Sequence, residues 1–455
     1  MSIQPARRVA YEVITAVRTS DAYANLLLPV KLERAKLGAQ DAALATELTY
    51  GTLRRQGYYD AVISLVANRP TNEIDEAILD VLRLGAHQLL SMRVAPHAAV
   101  DEAVSLAKEV GSRSATGFVN GVLRTITRST PDEWRDRVMA IPRKADERLS
   151  LEHSHPVWIV RAFRRALAAE GREDELEQLL EADNFAPRVS LVALPGLAKV
   201  SEIRGDRAAD YSPIAGMSDG GDPALLPAVH EGRARVQDEG SQLAALALTR
   251  ARPIEPGERW LDLCAGPGGK AALLAAEAAA GGATLIANEV TPARADLVRK
   301  ALAVFPDPPQ LLVEDGRLLG ERFAGQFDRI LLDAPCTGLG ALRRRPEARW
   351  RKQPKDVPEL SELQGELLAS GLRALKPGGI LAYVTCSPHL AETVAVVSSA
   401  LKDTPDVSRL DTSAVLAAVT KHPLELGDTT DGHVQLWPHR HGTDAMFIAL
   451  LQRAL

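Results

Sequence analysis

From about residue 257 the chain alternates short, Leu-rich or β-branched runs with helix-period segments, and no other feature constrains the fold as strongly. RWLDLC, ATLIANE, QLLVED, FDRILLD and GILAYVTC read as strands, while AALLAAEAAA and PARADLVRKALAV read as helices between the early ones. This alternation predicts a parallel sheet covered by helices on both faces, with ligands at the carboxyl ends of the strands. No internal repeat or low-complexity tract interrupts it.

The first of these strands runs directly into AGPGGK and then a helix. A Gly-rich strand-to-helix turn lets a cofactor approach the backbone and aims helix N–H groups at it. The spacing is neither GxGxxG nor GxxxxGK[ST], which disfavours a nucleotide phosphate loop. Glu289, Asp315 and Asp333 close the second, third and fourth strands. One acidic strand end is uninformative. Three of them beside a Gly-rich turn suggest an adenosine-type cofactor, since such carboxylates hold ribose hydroxyls or meet an adenine amino group.

All three cysteines, Cys264, Cys336 and Cys386, follow residue 263. Asp333-Ala-Pro-Cys336 sets a carboxylate and a thiol at the mouth of the predicted sheet, and Cys386 ends the fifth strand at the same mouth. A thiol beside a cofactor cleft is a candidate nucleophile when its neighbours favour the thiolate. Spacing alone leaves open which thiol attacks, and a buried strand cysteine is the plainer alternative for each. From Arg343 to Lys352 there are six basic residues and one acid, with Trp350 interleaved. That run suits phosphates and base stacking, unless it is simply a solvated loop.

The rest of the chain is quieter. The first ~125 residues read as helical, with Val9, Val13 and Val17 four apart, Asp101 placed to cap a helix and Gly111 placed to end it. The charged, Pro-bearing stretch 129–150 reads as a linker. VWIVRAFRRALAAE and EDELEQLLEA then read as helices, PRVSLVALPG as a strand and GDRAADYSPIAGMSDGGDP as loop. RARVQD follows as a short strand into SQLAALALTRA, with Ser241 as the expected cap. A length of 455 residues suits two to four domains at ~100–200 residues each. The charge, 54 basic against 59 acidic residues, excludes a wholesale basic coat, so any nucleic-acid surface is local. Three cysteines exclude a disulfide scaffold and a cysteine-based zinc module. The pairs His153/His155 and His439/His441 have no acidic or cysteine partner at ligand spacing, and no metal is expected. There is no run of the ~20 apolar residues a membrane helix needs, nor a secretory leader, so a soluble, cytoplasmic protein is expected.

LDLCAGPGGK, LLDAPCTGLG and VTCSP together resemble the Sun/RsmB family of ribosomal RNA cytosine-5 methyltransferases. LTYGTLRR and GFVNGVLR resemble the NusB-like module at the front of RsmB proteins. VQDEGSQLAALAL and PHRHGTDAMFIALL resemble the entry and closing strands of their catalytic domain. The resemblance implies a multidomain chain: an all-α NusB-like RNA-binding domain (1–130), a small α+β domain (150–235) and an α/β Rossmann-like class I methyltransferase domain (236–455). It implies that Cys264, Ala265, Gly266, Pro267, Gly268, Gly269 and Lys270 bind S-adenosylmethionine, with Glu289 on ribose and Asp315 near adenine. Asp333 would serve both cofactor and target base, and Lys270 would join it in the catalytic group. Cys386 would be the nucleophile, and Cys336 would assist product release. Arg343, Arg344, Arg345 and Arg351 would contact RNA. The implied partner is small-subunit ribosomal RNA, with no membrane and no metal. Two departures stand out. The first loop reads CAGPGGKA where the family more often has CAAPGGKT, and SPHLAETVAVV lacks the paired acids often seen after the second cysteine, so Glu392 receives no role.

The chemistry agrees with the resemblance. Carbon 5 of cytosine is a poor nucleophile, and a thiolate adding to carbon 6 makes it enamine-like. A carboxylate near N3 or N4 stabilises the charge that develops, and the base must leave its stack to be reached. Three other readings stand beside this one: a transfer RNA substrate, a DNA-type enzyme attacking through Cys336, and a non-catalytic RNA-binding assembly factor.

Overall fold

The four-residue spacing of Val9, Val13 and Val17 becomes the buried face of the first helix, Pro5–Thr19. The computed structural model describes residues 3–20, 22–142, 144–427 and 430–455. The chain forms two compact units. One comprises Met1–Arg161, Leu180–Ala186 and Leu342–Arg351, and the other Ala162–Leu179, Pro187–Ala341 and Lys352–Leu455.

The first unit is helical. Helices Pro5–Thr19, Ala39–Arg54, Gln56–Ala67, Glu76–Leu90 and Arg113–Ile126 bury Val13, Leu48, Tyr59, Val62, Leu82 and Leu123 in one core. The Tyr59 hydroxyl, deep in that core, is satisfied by His87 Nδ1 and Ser91 Oγ, each at 2.8 Å. Two expectations change here. Asp101 lies inside the helix Pro96–Val110, whose N-cap is Ala95 with Pro96 in the first turn, although Gly111 does end it. Pro96 supplies a fixed φ at a position where the missing N–H costs nothing. The stretch expected as a linker holds two helices, Pro131–Met139 and Ala145–His153. The first is started by a Thr130–Glu133 capping box and anchored by buried Trp134, so local capping outweighs the high charge.

The second unit holds two sheets. β1 (Ser190–Ala193), β2 (Ala215–Met217) and β3 (Ala234–Val236) form an antiparallel sheet in the order β2-β1-β3. β2 lies within the stretch expected as loop, where a three-residue strand has too little pattern to show. The helix Glu239–Thr249 is capped by Asp238, whose carboxylate accepts from the Gly240 N–H at 2.9 Å, and not by Ser241. Gln242 on that helix donates to the β1 carbonyl of Leu191 at 3.4 Å, and Val192 shares a core with Leu243 and Trp260. The expected boundary near residue 235 therefore crosses continuous packing.

The large sheet contains β4 (Arg259–Asp262), β5 (Thr284–Asn288), β6 (Gln310–Leu312), β7 (Phe327–Asp333), β8 (Leu375–Thr385), β9 (Val407–Arg409), β10 (His433–Gln435) and β11 (Phe447–Arg453). Its order is β10-β11-β8-β7-β4-β5-β6, with β9 on β11. The five expected strands, β4 to β8, are parallel, whereas β11 is antiparallel to β8, β9 and β10. The sheet is thus mixed at one edge. β5 and β6 lie to one side of β4 while β7 lies to the other, so strand order reverses at β4 and opens a crevice at the carboxyl ends of β4 and β7. Ile330, Leu331 and Leu332 on β7 are buried on both faces, as a central parallel strand requires.

Candidate active site

The crevice begins where β4 ends. Gly268, at φ +106°, caps the helix Gly269–Gly281 in a conformation that disfavours any side chain. Gly266 is held against β5. Its N–H donates to Glu289 Oε2 at 3.1 Å, its carbonyl accepts from Arg294 at 2.6 Å, and a Cβ there would collide with the Glu289 carboxylate. The other oxygen of Glu289 accepts from the Thr291 N–H at 2.9 Å. A glycine at each position lets the turn pack directly against Glu289 and against Val298 and Ala301 of the next helix.

Lys270, in the first turn of that helix, donates from Nζ to Asp333 Oδ2 at 2.8 Å. Burial pulls its ammonium down, but the charge and hydrogen bond of Asp333 outweigh this and hold it above its ordinary value. Asp262, the last residue of β4, was missed in the sequence although an acid within a Leu-rich strand was visible there. It is fully buried and neither oxygen reaches a donor in good geometry. Burial pushes this carboxyl up to about 8, Asp333 adds to the rise, and the Lys270 ammonium and the Cys264 N–H oppose it.

The thiols follow the next two strands. Cys336 lies three residues beyond β7 and Cys386 one beyond β8, and their sulfurs are 3.5 Å apart. Parallel pairing sets Asp333 opposite Val384, which brings both loops to the same end of the sheet. Cys336 is raised well above the usual thiol range by the Cys386 hydrogen bond, then by burial, then by the charges of Glu392 and Asp333. The Lys270 ammonium lies within electrostatic reach of Cys386. Burial raises the Cys264 thiol strongly.

The structure thus brings together Cys264–Lys270, Glu289, Asp333, Cys336 and Cys386. Asp315 follows β6 but is partly exposed, and its carboxylate is already held by the N–H and guanidinium of Arg317, which lower it. The two histidine pairs find acids distant in sequence: His155 Nε2 lies 3.4 Å from Asp183 and His439 Nε2 lies 2.9 Å from Glu175.

The basic run is not a solvated loop, and for Arg351 the structure departs from the expected RNA contact. Its residues 342–351 belong to the helical unit, where they form internal contacts instead of a solvated loop. Arg349 is fully buried and donates to the carbonyls of Arg54 and Asp183 and to Asn184 Oδ1, each at 2.8 Å. Arg343 is buried, and its carbonyl accepts from Arg54 at 3.4 Å. Arg351 donates to the carbonyls of Val17 and Ala22 at 2.7 and 2.5 Å, and Arg345 and Arg351 both flank the Tyr23 ring. Arg344 is half-buried in the same segment. A cation committed to backbone carbonyls is not available to phosphates. Arg351→Ala is therefore expected to cost about 1–3 kcal/mol of helical-unit stability, from two carbonyls left without a donor. Urea unfolding measures that loss, and the salt slope of RNA binding should be unchanged.

No helix among the described residues is long and apolar enough to cross a membrane. Residues 251–452 match the family model of the 16S rRNA methyltransferase RsmB/F, and residues 4–128 match that of the NusB family. The chain is 48% identical to the Mycobacterium tuberculosis protein Rv1407 over 458 residues, covering 99% of this chain and 97% of that protein. It is 31% identical over 451 residues to the ribosomal RNA small subunit methyltransferase B of Pseudomonas putida, covering 94% of this chain and 96% of the relative. The crystal structure of PH0851 shares the fold across 100% of both chains, with a TM-score of 0.80 at 24% identity.

Proposed function

We propose that this chain, which belongs to the RsmB/F family of ribosomal RNA methyltransferases, methylates carbon 5 of a cytidine in small-subunit ribosomal RNA through a covalent cysteine–cytosine adduct. The observation that carries this reading is the pair of sulfurs 3.5 Å apart at the crevice, beside the Lys270–Asp333 ion pair.

S-adenosylmethionine fits the residues present. The buried Asp262 carboxyl, whose two oxygens find no hydrogen-bond partner in good geometry, suits a cationic amino group. Cys264–Lys270 would line it, with Glu289 towards ribose, Asp315 towards adenine and Asp333 at the reacting end. When bound it supplies an electrophilic methyl group on a sulfonium. Asp315→Ala should weaken its binding roughly 5- to 150-fold, the loss of one hydrogen bond to a buried polar ligand. Calorimetry on the folded variant checks this, and unchanged affinity would place the adenine elsewhere.

The protein's own groups then act in sequence. Cys386 adds through sulfur to carbon 6 of the base, which makes carbon 5 nucleophilic. The Lys270-paired Asp333 carboxylate faces the pyrimidine edge and stabilises charge there as addition proceeds. Methyl transfer leaves a proton on carbon 5, and its loss to a base as the Cys386 sulfur departs from carbon 6 frees the enzyme. Cys336, with its sulfur 3.5 Å from that of Cys386, is placed to assist this elimination.

Mapping 5-methylcytosine across total RNA with and without this protein tests the substrate. Loss at one small-subunit site is expected. Loss confined to transfer RNA would move the reading to that substrate, and binding of RNA and cofactor with no methyl transfer would leave an assembly factor. The reaction would take place in the cytoplasm, where ribosomal RNA is assembled.

A further inference from the structure

Glu392 ends the short turn Leu390–Glu392, six residues beyond Cys386, and its side chain is fully buried. Oε1 accepts from the Thr337 N–H at 2.7 Å and from Gln364 Nε2 at 3.2 Å. Oε2 accepts from Thr337 Oγ1 at 2.5 Å and from Ser387 Oγ at 2.6 Å. Thr337 directly follows Cys336, and Ser387 directly follows Cys386. Gln364 also donates to the Pro335 carbonyl at 2.8 Å, immediately before Cys336, and the Tyr383 hydroxyl donates to the Glu392 carbonyl at 2.7 Å. One carboxylate thus ties both thiol-bearing loops to each other, using neutral donors only.

Burying a carboxylate without a cationic partner is costly unless its oxygens are fully hydrogen-bonded. Thr337, Gln364 and Ser387 present four donors to this one side chain, and a carboxylate can accept from all of them. We propose that Glu392 is a positioning residue for methyl transfer, clamping the two loops so that the Cys336 and Cys386 sulfurs face one base at reacting distance. This rests on the reading that both thiols serve a single base. A displacement of about 1 Å at reacting atoms lowers turnover by roughly 10²-fold. The clamp has an electrostatic consequence as well. The groups facing Cys336 are Cys386, Glu392, Asp333 and Tyr383, and the Glu392 charge helps hold Cys336 as a thiol. Of the other titratable neighbours of Glu392, His389 is kept neutral by burial.

The test uses full-length E392Q and E392D in two assays. In E392Q the shape is kept but the charge is gone, and one oxygen becomes a donor opposed to the Thr337 and Ser387 hydroxyls. In E392D the charge is kept on a side chain too short to reach both loops. Both variants should lose about 10- to 100-fold in kcat, with KM for RNA and affinity for S-adenosylmethionine within threefold of the parent. Without RNA or cofactor, iodoacetamide at pH 8 should alkylate Cys336 roughly tenfold faster in E392Q than in the parent, as removal of a nearby negative charge demands. Cys264, not among the groups facing Glu392, serves as the internal control. A folded E392Q with parental kcat and parental Cys336 alkylation overturns the proposal, even if its melting temperature falls. The alkylation arm needs no substrate. A shifted Cys336 with no methylation of any RNA by the parent would therefore overturn the functional reading and leave the clamp standing.

Discussion

Cys386→Ala protein, incubated with small-subunit RNA and S-adenosylmethionine, is expected to yield neither 5-methylcytosine nor a covalent protein–RNA band. Without a sulfur to add to carbon 6 the base has no route to an enamine-like carbon 5, and the rate should fall by roughly 10³-fold or more. Cys336→Ala should behave differently. It retains the attacking thiol and the Lys270–Asp333 pair, so it should add and methylate but stall before elimination. A slow-migrating adduct should accumulate on denaturing gels. The reverse pattern, a band from Cys386→Ala and none from Cys336→Ala, would assign attack to Cys336 and revive the DNA-type mechanism. No band from either variant would remove the release role. The sulfurs are close enough that distance cannot separate their roles. The two variants separate them, because only the attacking thiol can form the adduct.

The largest expected effect on stability is at Arg329, on β7 at the centre of the large sheet. Its guanidinium is fully buried. It donates to the carbonyls of Leu248, Thr249, Arg252 and Pro253 at 2.8–3.1 Å and to Glu258 Oε2 at 2.8 Å. Glu258 in turn accepts from the Trp260 indole N–H at 2.7 Å. Arg329→Met fills most of the volume but leaves four carbonyls without donors and Glu258 with only Arg252, at 2.7 Å, and the Trp260 indole as partners. The loss should be about 3–5 kcal/mol, measured by urea unfolding of the full chain. Arg329→Lys should recover little, because a single ammonium with three protons cannot serve acceptors spread around a planar fork. A loss below about 1 kcal/mol for Arg329→Met would mean that this network does not hold the Leu248–Glu258 segment to the sheet.

Much of the candidate site was legible in the sequence. The Gly-rich turn after WLDLC, the acids closing three strands and the two later cysteines are local signals, set by two-residue and 3.6-residue periods and by turn chemistry. Strand ends could be read from the point at which each apolar run stopped. A parallel sheet then obliges those ends to share one edge, so Asp333, Cys336 and Cys386 could be placed at a common mouth from spacing alone. The helical front was legible for the same reason, since Val9, Val13 and Val17 each repeat one turn apart.

Partner choice was not legible. Arg349 looked like a free cation in a basic loop, yet its partners Arg54, Asp183 and Asn184 lie 295, 166 and 165 residues away. Glu392 looked like an isolated acid because the usual paired pattern was missing, yet its donors come from positions 337, 364 and 387. Asp262 looked like an ordinary strand residue until burial removed its donors. By itself the sequence determined the five parallel strands, their order along the chain and the residues that follow their ends, because period and turn chemistry act over a few neighbours. Only the tertiary structure decided which charges are spent on backbone carbonyls, which carboxylate clamps the thiols and which strands close the sheet antiparallel. Those outcomes depend on burial, and burial is a property of residues that meet only after the chain has folded.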